Sequence, residues 1–258
     1  TARNGIIVGS GITLSKDGDI FATGVTTATK FVGDGSELTG VASTENIRTN
    51  TNATFLQNVN VGVAITAGKL GIGFTDNNIK IGNTALDSLT TGTNNVAIGG
   101  GALTADTTGT QNVAIGINAL DVNTTGNYNE AIGGNALGSN TTGSQNVAVG
   151  DGALGNNTTA SNNIAIGLDA LNDNTTGAFN TAVGTQSLDA NTTAANNSAF
   201  GAGTLGANTT GADNTAVGRY ALGGNTTASL NTAIGYASMQ ANTTGANNVA
   251  VGAYALDA

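Results

Sequence analysis

The sequence predicts an all-β protein whose main part is a parallel β-roll, a solenoid of 17-residue coils. Three observations carry this. A glycine recurs every 17 residues from Gly82 to Gly252 without a slip. Each unit holds one short run of strand-forming residues ending at that glycine, such as Asn95-Val96-Ala97-Ile98-Gly99. Most units also hold an Asn-Thr-Thr segment followed by Gly or Ala, which is turn chemistry and a poor helix. A unit of 17 residues is too short for two packed helices and their turns, so each unit is read as one coil. Coils stacked ~4.8 Å apart would make a rod roughly 50 Å long.

Taken in order, residues 1–44 form a strand-rich N-terminal segment. Its apolar pieces alternate with Gly-Asp and Ser-Gly turns: Ile6-Ile7-Val8, then Ile12-Thr13-Leu14, then Asp19-Ile20-Phe21. Residues 45–77 are an irregular connector with some strand character around Val59-Asn60-Val61-Gly62-Val63. Residues 78–258 are the repeat array, ten full units and eleven residues of another.

Within the unit, each slot is read by what it tolerates. The residue before the repeat glycine is Ile, Val or Phe200, and four residues after it stands Leu, or Met239. Both slots are expected to point into a dry core, with Ile98, Leu103, Ile115, Leu120, Ile132, Leu137, Val149 and Leu154 as its members. The Ala two before the glycine, replaced by Lys80 in the first unit, implies a tight contact between coils or between chains. The slot before that Ala varies among Val96, Glu130, Thr181 and Ser198 and is expected to be partly wet. One asparagine opens every unit: Asn95, Asn112, Asn129, Asn146, Asn163, Asn180, Asn197, Asn214, Asn231 and Asn248. Stacked asparagines either hydrogen-bond from coil to coil as a ladder or serve the turns alone. Two large apolar side chains per unit make a thin core, and small cores are commonly completed by oligomerisation.

Composition removes whole classes of function. There is no His and no Cys, so His-dependent triads, thiolate nucleophiles, zinc sites and disulfides are excluded. The net charge of −9 resides entirely in residues 81–258, which repel nucleic acid and offer no basic face to anionic lipid. No apolar run approaches the ~20 residues of a membrane span. Gly62 to Lys69 only loosely resembles a phosphate loop, and Asp17-Gly18-Asp19 is too short for a calcium loop. Asp121, Asp151, Asp169 and Asp189 stand in variable slots and are read as a solvated face without a carboxylate pair. No catalytic machinery, cofactor site or metal site is expected.

The units Asn95–Gly99 and Asn112–Gly116, and the run Asn162–Gly167, resemble the head repeats of trimeric autotransporter adhesins. The half unit Ala136–Gly143 resembles a longer variant in phage tail-fibre-like proteins, and Ala28–Gly40 resembles a linker motif of cyanophage tail fibres. The resemblance implies a left-handed, homotrimeric roll in an extracellular virion tail fibre. Its implied partners are copies of itself, other virion tail proteins, and a host surface glycan or protein. The head of a bacterial trimeric adhesin is the competing reading. The 17-residue period is longer than the usual adhesin repeat, so each coil is expected to carry a larger loop. An open edge at Leu256-Asp257-Ala258 is expected to be followed by a further fibre domain or a cleaved assembly chaperone.

Aromatics outside the core slots are the candidate receptor contacts. Tyr128 and Phe179 precede the unit asparagine, while Tyr220, Tyr236 and Tyr254 follow the repeat glycine, with Arg219 beside Tyr220. Tyr and Arg are enriched at binding hot spots, and Tyr stacks on sugar rings.

Overall fold

A computed structural model describes residues 77–257 together with the strand residues Ile12–Leu14 and Ile20–Ala22. The phosphate-loop-like stretch, the linker motif, the Asp17–Asp19 turn, Ile6–Val8 and the connector lie outside the described residues. The chain divides into two units, Thr1–Thr66 and Ala67–Ala258. In the first, β1 (Ile12–Leu14) pairs antiparallel with β2 (Ile20–Ala22).

The second unit is one parallel sheet of 11 three-residue strands, in chain order without a crossover. It begins with β3 (Ile79–Ile81), β4 (Val96–Ile98) and β5 (Val113–Ile115), and runs to β13 (Val249–Val251). Each strand pairs with the equivalent residues one unit later, as in Ala97 with Ala114 and Ala148 with Ala165. This is a β-solenoid with one coil per 17-residue unit.

The interior differs from the expected one in a specific way. The middle strand residue, Ala97, Ala114, Ala131 or Ala148, is fully buried, and from Ala114 onward it stacks on the equivalent Ala of the preceding coil. Ile98, Ile115, Ile132 and Val149 therefore lie on the outer face, because strand side chains alternate. Ile98, Ile115 and Val149 are half-buried, and Ile132 is 40% exposed. Their assignment to the core of the chain is corrected. Leu103, Leu120, Leu137 and Leu154 are fully buried, so each such coil buries one large apolar side chain rather than two.

The remaining interior is amide. The first asparagine column includes Asn95, whose Nδ2 donates 2.8 Å across its own coil to the Gly109 carbonyl. Its Oδ1 accepts the backbone N–H of Asn112 in the next coil at 2.9 Å. A second column comes from the Asn-Thr-Thr turns, read from sequence as turn residues only. There Asn140 donates to Asn123 and Asn157 to Asn140, each at 2.9 Å, and the pattern runs to Asn242. Both columns are buried through most of the array, and no buried side-chain N or O among the described residues lacks a partner. Paired amides can occupy a narrow interior that would be costly with unpaired polar groups.

The first threonine of each turn extends the stack: Thr124 Oγ1 donates to the Thr141 carbonyl at 3.0 Å, and Thr141 repeats this to Thr158. The second threonine, for example Thr125 or Thr142, points to solvent. The repeat glycine is set by geometry, since Gly150 has φ +138° and a Cβ there would lie 2.4 Å from the Gly167 oxygen. The first coil is atypical. Lys80 occupies the slot of the buried Ala and pairs with Asp87, which places charge at the N-terminal end of the stack.

Candidate functional site

Because every coil repeats the same backbone, side chains in equivalent slots form columns along the solenoid. The slot before the unit asparagine has positive φ, as in Tyr128 (57°), Phe179 (60°) and Leu230 (61°). That corner turns the side chain outward, leaving Tyr128 and Phe179 56% and 61% exposed. They lie three coils apart, about 14 Å at the strand spacing, so they do not form one contact. Leu230 is equally exposed in the same column and was missed from sequence because only aromatics were sought.

The other four candidates are brought together. They occupy the two slots after Gly218, Gly235 and Gly252, in three successive coils. The Arg219 guanidinium lies over the Tyr220 ring, 4.4 Å from its centroid, and its Nη2 donates 3.0 Å to the Tyr220 hydroxyl. Tyr236 and Tyr254 meet edge to face with centroids 5.2 Å apart. Backbone bonds tie the coils: Ala237 N–H donates to the Arg219 carbonyl and Tyr254 N–H to the Tyr236 carbonyl. Tyr236, through a hydrogen bond and its charge, holds the Tyr254 phenol above its ordinary range.

Upstream in the second of these slots stand Gln186, Asp169, Asn135 and Asn118, and an acid recurs in the fifth slot after the glycine. The Asp189 carboxyl is pushed up by burial, with the charges of Asp173 and Asp169 adding to it. Although these acids stand in variable slots, Asp121 and Asp189 share one slot four units apart. The signal was a four-unit spacing hidden behind the shorter period. Among the described residues no group of three or more acidic side chains is placed to hold a metal ion. No described helix is long and apolar enough to cross a membrane. The sequon asparagines Asn123, Asn140 and Asn157 are spent in the buried second column, which closes them to modification in the folded chain.

Comparison with known proteins returns no match: no family model, no curated protein and no solved structure aligns with this chain.

Proposed function

We propose that this chain is a length of virion tail fibre, a stiff extracellular rod assembled from three parallel copies, with host-surface contact at its aromatic corner. The outer face of the strands carries this reading. Ile81, Ile132, Ile166, Phe200, Val217 and Ile234 recur there at the same slot, all exposed in the single chain. A continuous apolar column of this length calls for a cover. The occupant fitted to it is a second and third copy, since only an identical chain offers the same 17-residue repeat in the same register. Covering each half-exposed Ile or Val would contribute about 1 kcal/mol, summed over eleven strands. The resemblance of the Asn-x-Ala-Ile-Gly units to trimeric heads supports three copies rather than two. The one-Leu coil interior leaves stability to be gained by association.

Light scattering on the purified chain tests the assembly. The expected mass is three times 25.0 kDa, and a folded monomer rejects the trimer. Antibody labelling of source virions tests the location: label along the tail is expected, and its absence there ends the virion reading.

A further inference from the structure

The slot five residues after the repeat glycine carries a second rhythm. Down the column it reads Asp121, Gly138, Gly155, Asn172, and then Asp189, Gly206, Gly223, Gln240. An acid, two glycines and an amide are thus repeated four coils later. Each series lines an open cleft, of about 330 Å³ at the first and about 280 Å³ at the second. The clefts are where side chains have been deleted from a column, with the acid at one end and the amide at the other. Equivalent points of the two lie about 19 Å apart at the strand spacing.

The backbone does not demand these glycines. None of the four has positive φ. Gln240 fills the same slot and makes the same turn, its N–H donating to the Ala237 carbonyl as Gly223 N–H donates to that of Tyr220. At Gly155 the Asn172 amide takes the space, 2.9 Å from where a Cβ would stand, but the absent side chains at Gly138, Gly206 and Gly223 call for an explanation in what the clefts hold. The lining residues supply donors and acceptors and carry no positive charge of their own, the Arg219 guanidinium lying against the Tyr220 ring at the second. Asn118, Asn135 and Asn156 line the first, and Gln186 and Tyr220 the second, where the Tyr220 ring lies over Gly203. Amides and carboxylates suit vicinal hydroxyls. The acids, within a strongly negative array, disfavour an anionic ligand.

We propose that the two clefts are equivalent binding sites for a neutral oligosaccharide, used in register along the solenoid. This deepens the host-contact part of the fibre reading and rests on it. Saturation-transfer NMR on the full chain tests it, with neutral gluco-, manno- and galacto-oligosaccharides as probes and sialyllactose as the anionic control. Transfer to at least one neutral probe and none to sialyllactose is expected. Gly206→Gln and Gly223→Gln together should fill the second cleft without unfolding, and Gly138→Gln the first. Filling both should weaken binding roughly tenfold or more. No transfer to any neutral probe, or unchanged affinity in the filled variant, overturns the proposal. Light scattering on the same samples separates the two readings. A trimer without sugar binding ends this inference alone, and a sugar-binding monomer ends the trimeric fibre alone.

Discussion

Asp106 Oδ1 accepts the amide of Asn123 at 3.2 Å, at the head of the second buried column. From Asn140 to Asn242 each side-chain amide donates toward its N-terminal neighbour. One coil before Asp106 that slot holds Leu89, which cannot accept. An asparagine at 106 would aim an N–H at Leu89. A carboxylate has no N–H to leave unpaired, so an acceptor-only group ends the column, much as a cap ends a helix.

That arrangement makes stability depend on pH. Burial pushes the Asp106 carboxyl up from 3.8 to about 6, against the pull of the Gly109 N–H and the Asn123 amide. The folded chain therefore holds this proton through a range in which the unfolded chain has released it. The contribution is fully present below about pH 4 and is lost as pH rises through about 6, with a size of order 2–3 kcal/mol. Denaturant midpoints at pH 4 and pH 7 should show the fall, and Asp106→Asn should flatten most of it. Asp189, shifted in the same direction, leaves a smaller residual slope. Equal slopes in the two proteins would remove Asp106 as the cause.

In the middle of the same column, Asn157 donates to Asn140 and to the Ala160 carbonyl and accepts from Asn174. Asn157→Ala should cost about 2–4 kcal/mol through the buried groups it strands. Asn157→Asp should be worse near neutral pH, since a carboxylate would face the Asn140 oxygen with no proton to share. Lowering the pH should return part of that loss. Chemical denaturation at two pH values reads both, and an Asp variant insensitive to acid would contradict the ladder.

The inner and outer faces should respond oppositely to truncation and charge. Leu137→Ala empties a fully buried position and should cost about 2–5 kcal/mol in any assembly state. Ile166→Glu, on the outer strand face, should leave the single coil stack folded while the light-scattering mass falls to that of one chain. Circular dichroism beside light scattering separates the outcomes. Unfolding by Ile166→Glu would put that side chain inside.

The period, the parallel stack and the glycine corner were legible because each is fixed by a residue type that little else replaces. The facing of the strand was not. Three residues with the pattern Val-Ala-Ile allow either alternation, and a one-residue shift exchanges the faces. Side-chain size argued for Ile98 inside, yet the width left by two asparagine columns admits Ala97. Asn123 and its equivalents read as turn residues because Asn-Thr-Thr-Gly is turn chemistry. That they also stack inward depends on the coil closing around them. For the candidate contacts, sequence offered the residue types, and only the register joined Arg219, Tyr220, Tyr236 and Tyr254 while separating Tyr128 from Phe179.

Two glycines one coil corner apart make the last test. At Gly150, φ is +138° and a Cβ would meet the Gly167 oxygen at 2.4 Å and its carbonyl carbon at 2.6 Å. At Gly143 a Cβ would meet the Ala160 oxygen at 2.3 Å, so close approach alone does not distinguish them. The backbone does. Gly143 is not at positive φ, and its slot carries Ala160, Ala194 and Ala228 in other coils, each almost fully buried. A small shift between coils evidently relieves the contact there. No coil places anything but glycine in the Gly150 slot, where strain in φ adds to the clash and the neighbouring oxygen belongs to the next strand end. Gly150→Ala should therefore destabilise by about 2–4 kcal/mol, from the φ strain and local overpacking. Gly143→Ala should stay within about 1 kcal/mol, its entropic gain in the unfolded chain offsetting the shift. Thermal melts of the two variants side by side decide it, and equal losses would mean that coil spacing, not φ, sets the requirement for glycine.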